Sequence, residues 1–157
     1  MAAVVVGAQF CSPRASLLTL TMNLTRGGTV TDAASGAAVL LMDVPLFLRF
    51  FGRFVLVDAA GRPLLSAFSL YREWEAFRGD GHGHNGGELL FTAKKSTIVQ
   101  VRTHMDIFLA SNRAQEVCDF KIKCSSVYEG SADIYLGNSN TVIAQVNNGK
   151  SVCSWFL

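Results

Sequence analysis

The chain has 157 residues, which is long enough for one domain with a sizeable hydrophobic core. Half of the residues are hydrophobic and only 17% are charged, so much of the chain is expected to be buried. The net charge of +2 is too small to indicate a nucleic-acid partner, and no apolar run approaches the roughly 18 residues of a membrane-spanning helix. Residues 1–10 are apolar but lack a basic start, so no signal peptide is predicted.

The first part of the chain predicts short strands joined by turns. Apolar, β-rich runs at residues 17–22, 29–32 and 37–43 are typical of strands. The turn at residues 32–36 begins with the same Asp-Ala-Ala sequence as residues 58–61. Asp suits a turn because it hydrogen-bonds its own backbone, and Gly because it accepts a positive φ. Two similar hairpins are therefore expected.

The second of these hairpins belongs to a longer pattern that runs from Arg53 to Gly79. Apolar runs on both sides of residues 58–63 predict a hairpin, and a third strand follows it at once. Gly61 occupies the position where a tight turn needs a positive φ, and Pro63 starts the return strand.

The rest of the chain continues as strands, and no segment shows a helical period over three turns. Residues 94–96 predict a polar break or short turn, and residues 111–116 predict a helical turn. Strands are predicted at residues 89–92, 97–102, 105–110, 117–123, 131–136, 141–146 and 151–157. About a dozen short strands in succession indicate an antiparallel meander, closed or nearly closed into a barrel.

Several short motifs resemble functional sites without the context that those sites need. Residues 81–86 match the letters of a dinucleotide fingerprint, but a β-rich run follows where a helix should begin. In that motif His82 and His84 are interpreted as solvated loop histidines, because two ligands make a poor metal site. Glu73 and Glu75 share a strand face at a spacing compatible with glycoside hydrolysis, although a solvated strand face is the expected role. No catalytic residue, metal ligand or cofactor is predicted.

The cysteines are predicted to be structural. Cys11, Cys118, Cys124 and Cys153 form no Cys-x-x-Cys pair. Cys118 and Cys124 fall on one face of a single predicted strand, about 20 Å apart, which is too far for a disulfide. All four are expected to be small buried hydrophobes in a reducing compartment.

Four lysines form the candidate binding site. Lys121 and Lys123 share one strand face, and Lys94 and Lys95 precede another strand. If those strands are neighbours, the four lysines make a small cationic patch that could meet anionic lipid head groups, at about 1 kcal/mol per charge. The alternative is a solvated face that maintains solubility.

Seven segments together carry a family pattern: residues 4–11, 56–64, 74–80, 90–96, 106–110, 116–123 and 134–137. In these segments, and in their order over nearly the whole chain, the sequence resembles the plant LURP-one-related family. The resemblance implies a mainly β, tubby-like antiparallel barrel of about twelve strands around a central apolar helix. Family members continue into that helix after the last strand, whereas this chain stops at Leu157. The expectation is therefore one domain, residues 1–157, incomplete at the C-terminus and lacking the helix.

The same resemblance gives the functional expectation. The family is similar to tubby-like domains, some of which bind phosphoinositides, and to phospholipid scramblases, and some members are linked to plant defence. No catalytic residue and no phosphoinositide motif carries over to this sequence. The expected function is a non-enzymatic, intracellular binding or membrane-tethering module, cytoplasmic or peripheral at a membrane. Its expected partners are anionic phospholipid head groups and other proteins, and the alternative is a scramblase-like, membrane-active protein.

Overall fold

The computed structural model describes residues 5–11, 14–23, 27–43, 52–80, 87–97, 104–124 and 131–146. Over these residues the protein consists of strands and loops, with one short 3₁₀ helix at Ala8–Phe10. The strands are β1 (Leu18–Asn23), β2 (Gly27–Asp32), β3 (Ala38–Asp43), β4 (Arg53–Asp58), β5 (Pro63–Leu70), β6 (Glu73–Arg78), β7 (Leu89–Thr97), β8 (His104–Leu109), β9 (Phe120–Cys124), β10 (Ala132–Leu136) and β11 (Val142–Val146). The mainly β, antiparallel fold class predicted from the sequence is confirmed.

The chain divides into two compact units, and the first, Met1–Leu90, contains β1 to β6. Each of these strands pairs antiparallel with the next, so the unit is a simple meander. Several of its buried side chains belong to β5 and β6, namely Leu65, Ser66, Ala67, Ala76 and Phe77. Because consecutive strand residues point to opposite faces, both faces of this hairpin are covered.

Two turns of the first unit are built alike, as their shared Asp-Ala-Ala sequence predicts. Between β2 and β3, the Asp32 carboxylate accepts hydrogen bonds from the Ser35 hydroxyl at 2.6 Å and the Ser35 N–H at 3.2 Å. Between β4 and β5, the Asp58 carboxylate accepts bonds from the Arg62 N–H at 2.9 Å and the Arg62 guanidinium at 2.7 Å. These bonds lower the pKa of both carboxyls, chiefly through the Ser35 hydroxyl for Asp32 and the Arg62 N–H for Asp58. Gly61 has φ +78, which confirms the predicted positive φ.

The second unit, Phe91–Leu157, contains nearly all of β7 together with β8 to β11. Neighbouring strands again pair antiparallel in chain order. The buried side chains of this unit include Ala93, Met105, Phe108, Cys118, Cys124 and Ala132. Cys124 and Ala132 form a small core cluster against which Ile122 and Val146 pack. This cluster packs β9, β10 and β11 together on one face of the sheet.

Three predictions for the second unit were wrong in detail. Residues 94–96 lie inside β7 rather than in a break, because Lys94 and Lys95 pair with Asp106 and Met105 of β8, and the register shifts only between Lys95 and Thr97. Residues 111–116 form a loop rather than a helical turn. The Asn112 side chain holds this loop, because its Oδ1 accepts a hydrogen bond from the Gln115 N–H at 3.1 Å and its Nδ2 donates one to the Val117 carbonyl at 2.7 Å. Cys118 lies before β9, which begins at Phe120, and not on the strand with Cys124.

Cys118 and Cys124 are buried free thiols, as predicted, but the prediction of burial was wrong for Cys11. Cys11 is exposed because it follows the 3₁₀ helix, outside any strand whose face could cover it. Several predictions concern residues outside the described ranges: Cys153, the loop histidines His82 and His84, the strand at residues 151–157 and most of the strand at residues 97–102. Within the described ranges, no helix has the length and apolar character needed to cross a membrane.

Candidate functional site

The pairing register decides which of the predicted lysines share a face. Lys94 of β7 is directly opposite Asp106 of β8, Asp106 is opposite Lys121 of β9, and Lys121 is opposite Tyr135 of β10. Directly paired residues project to the same side of a sheet, with Cβ atoms about 5 Å apart. Lys94 and Lys121 therefore flank Asp106 in one row across four strands.

A second row runs parallel to the first, two residues further along the strands. It places His104 opposite Lys123, Lys123 opposite Asp133, and Asp133 opposite Gln145 of β11. The two rows lie on the same side of the sheet because side chains alternate with a period of two. We call this surface the charged face; it comprises Lys94, His104, Asp106, Lys121, Lys123, Asp133, Tyr135 and Gln145.

Lys95 lies on the opposite face. It is paired with Met105, which is only 3% exposed, and Met105 is in turn paired with Ile122. The structure thus brings together Lys94, Lys121 and Lys123 from the predicted patch and separates Lys95 from them. The reason is the strand period, because two consecutive residues of a strand cannot point to the same face.

The ammonium group of Lys121 is held in place by two neighbours. Its Nζ donates a hydrogen bond to Asn138 Oδ1 at 2.7 Å and lies 3.8 Å from Asp106 Oδ1. Lys121 and Asp106 therefore form an ion pair without a hydrogen bond, and the buried Asp106 Oδ1 has no hydrogen-bond partner among the described residues. Both side chains retain some solvent exposure, 25% for Lys121 and 22% for Asp106. Their attraction is therefore modest in free energy.

Lys123 is positioned by an aromatic ring. Its Nζ lies 4.4 Å from the centroid of the Tyr135 ring, a cation–π geometry. The Tyr135 hydroxyl donates to Asp133 Oδ2 at 3.4 Å, and Gln145 Nε2 donates to Asp133 Oδ1 at 2.9 Å. Lys94 makes a longer contact of the same kind, 6.0 Å from the centroid of Phe108.

A buried thiol lies beside the charged face. Cys118 is 6% exposed, and its Sγ lies 3.4 Å from Asn138 Oδ1, the atom that also accepts the Lys121 hydrogen bond. Burial raises the pKa of Cys118, and the negative charge of Asp106 raises it further, against the opposing effect of Lys121. The thiol is therefore protonated at neutral pH, which is the unreactive form.

The charged face contains more than the sequence predicted. Asp106 and Asp133 place two negative charges among the three lysines, and Asn138 and Tyr135 orient two of the ammonium groups. The alternation of Asp133 and Tyr135 with apolar neighbours is visible in the sequence, but their position beside Lys123 depends on strand register. Glu73 and Glu75 share a face of β6 in the first unit, and both are half-buried. Among the described residues no group of three or more histidines, cysteines and acids is arranged to hold a metal ion.

These features define an antiparallel β protein with a polar, charge-bearing sheet face. The family model for LURP-one-related proteins matches residues 17–157. The chain therefore belongs to the LURP-one-related family, as the sequence resemblance predicted.

Individual relatives agree with this assignment. The chain is similar to Protein LURP1 of Arabidopsis thaliana, with 30% identity over 98% of this chain and 76% of the relative. It is also similar to Protein LURP-one-related 15 of Arabidopsis thaliana, with 31% identity over 98% of this chain and 72% of that protein. An X-ray structure of a protein from Arabidopsis thaliana shares the fold, with a TM-score of 0.70 and 27% identity over 90% of this chain and 78% of the other.

Proposed function

We propose that this protein is a non-enzymatic binding module whose charged face attaches it to anionic phospholipid head groups, phosphoinositides among them. The proposal rests on one observation: the register places Lys94, Lys121 and Lys123 on the same face of a hydrogen-bonded sheet. In this proposal the chain is cytoplasmic and its contact with the membrane is peripheral. Its family membership and its Arabidopsis thaliana relatives lead us to place it in plant defence.

Pre-organisation favours such a contact. A free lysine side chain loses up to about 2 kcal/mol of rotamer entropy when it is immobilised. Lys121 is already held by Asn138, and Lys123 is held by Tyr135. Part of their rotamer entropy is therefore lost on folding, and less remains to be lost when a ligand binds. An ammonium group has three N–H donors, which leaves capacity for phosphate oxygens beside the existing contacts.

The charge balance of the face indicates weak binding. A lysine near an anionic membrane contributes about 1 kcal/mol. Three lysines against two aspartates leave a single net positive charge when His104 is neutral. We expect a salt-sensitive contact that recruits the protein in combination with other contacts, rather than a high-affinity site.

Flotation with phosphatidylcholine vesicles, with and without phosphatidylserine or a phosphoinositide, tests the proposal. Wild type should float with anionic vesicles more completely at low salt than at high salt, and the double variant Lys121→Glu/Lys123→Glu should lose the salt-sensitive part of this flotation. Unchanged flotation of the double variant would remove these lysines from any lipid site. Movement of labelled lipid between leaflets would favour the scramblase-like alternative instead.

Adjacent residues provide the matched control. Lys94→Gln and Lys95→Gln remove the same charge from neighbouring positions, but only Lys94 lies on the charged face. Lys94→Gln should reduce flotation, whereas Lys95→Gln should leave it unchanged in protein that melts cooperatively. Equal loss in both variants would show that overall charge, and not this face, governs binding.

A further inference from the structure

The tip of the β5–β6 hairpin presents a single large aromatic side chain to solvent. Leu70 of β5 pairs with Glu73 of β6, so Tyr71 and Arg72 alone form the turn. Tyr71 is fully exposed, with a relative accessibility of 102%, and no part of the described fold packs against its ring. An apolar ring in that position gains nothing from folding, because it stays in water.

The backbone at Tyr71 makes the position more unusual. Its φ is +57, in the left-handed region that two-residue hairpin turns usually fill with Gly, Asn or Asp. Among the described residues, Gln115 is the other non-glycine with a positive φ. A tyrosine here strains the backbone without compensation from packing. Strain of this kind, held at an exposed position, points to a function for the side chain.

The shape of the tip favours a lipid surface over a protein pocket. One projecting ring buries about 150–250 Å², well below the roughly 800 Å² per partner of a stable protein interface. A bilayer interface accepts a projecting ring without a complementary surface, and tyrosine is enriched there because its ring is apolar and its hydroxyl polar. Arg72 is exposed beside it and supplies a guanidinium group for lipid phosphate.

We infer that Tyr71 is a membrane-interface anchor, with its ring among the head groups and upper acyl chains of the bilayer and Arg72 at the phosphates. This inference rests on the proposed membrane attachment and adds an apolar contact to it. The two contributions differ physically. Salt screens the lysine contact, whereas burial of the Tyr71 ring does not depend on ionic strength.

The decisive variant is Tyr71→Gly, because it separates membrane binding from stability. Glycine accepts the left-handed backbone, so the variant should melt about 2–4 °C higher than wild type. It should nevertheless lose about fivefold or more in partition onto phosphatidylcholine–phosphatidylserine vesicles measured at high salt. Tyr71→Phe keeps both the ring and the strain and should bind within about twofold of wild type.

The outcomes for the two contacts are distinct. Loss of the salt-resistant binding in Tyr71→Gly, with the lysine variants losing only the salt-sensitive part, supports the anchor. If Tyr71→Gly binds vesicles as wild type does while the lysine variants fail, the anchor is refuted and the charged face stands. If wild type binds no vesicle at any salt concentration, both ideas fail. A Tyr71-dependent complex with a purified protein and no Tyr71-dependent vesicle binding would also overturn the membrane assignment.

Discussion

Replacing Gly61 by Ala tests how far the β4–β5 turn depends on its left-handed backbone. Gly61 has φ +78, a conformation that costs a residue with a Cβ about 1–2 kcal/mol. No atom of the described residues lies within 4 Å of a Cβ added at Gly61, so the backbone cost acts alone. Alanine also restricts the unfolded chain, which offsets about 0.4–1 kcal/mol. The expected net destabilisation is about 1 kcal/mol.

Gly52 offers the comparison in which a steric cost is added. Its φ is +59, close to that of Gly61, but a Cβ there would lie 2.5 Å from the Cβ of Ser69. The Ser69 N–H also donates to the Gly52 carbonyl at 2.7 Å, so the two segments cannot separate without losing that bond. Overpacking typically adds about 1–3 kcal/mol. Gly52→Ala should therefore lower the free energy of unfolding by about 2–4 kcal/mol in total.

Urea unfolding, followed by circular dichroism, measures the loss of unfolding free energy in both variants. Each loss should lower the urea concentration at the unfolding midpoint without changing the dependence of the free energy on urea. Gly61→Asn serves as a control, because asparagine tolerates the left-handed region and should unfold between wild type and Gly61→Ala. The reasoning is refuted if Gly61→Ala unfolds at the wild-type midpoint. It is also refuted if Gly52→Ala costs no more than Gly61→Ala, since the steric contribution would then be absent.

The pKa of Asp58 is lowered, chiefly by a backbone N–H of its own turn. Wild type should therefore be more stable than Asp58→Asn above about pH 4, and this advantage should disappear as the pH falls through the lowered pKa. A stability difference that persists in acid would contradict this prediction. Brief alkylation of the native protein, read by mass spectrometry, should modify the exposed Cys11 and leave the buried Cys118 unmodified. Equal labelling of the two cysteines would mean that the loop before β9 opens readily. Asp133→Asn removes a negative charge next to Lys123 and should raise binding to anionic vesicles several-fold, and weaker binding would show that Asp133 supports the site.

The sequence alone determined the features that depend on neighbours along the chain. Alternation of apolar and polar residues identified most strands, including β9 and β10, because the two faces of a strand repeat every second residue. The turns at Asp32 and Asp58 were also predictable, since the Asp carboxylate and the following residues close the turn by themselves. The family could be identified because its segments keep their order along the chain.

Only the tertiary structure decided the composition of the charged face. Whether Lys94 or Lys95 joins Lys121 depends on the register between β7, β8 and β9, and a shift of one residue would exchange them. The same register places Asp106 between Lys94 and Lys121, a counter-charge that no local pattern reveals. The continuity of β7 through its lysines likewise depends on hydrogen bonds to β8, which outweigh the local turn-like composition. Local preference therefore sets where strands and turns occur, whereas pairing between distant strands sets which charges meet.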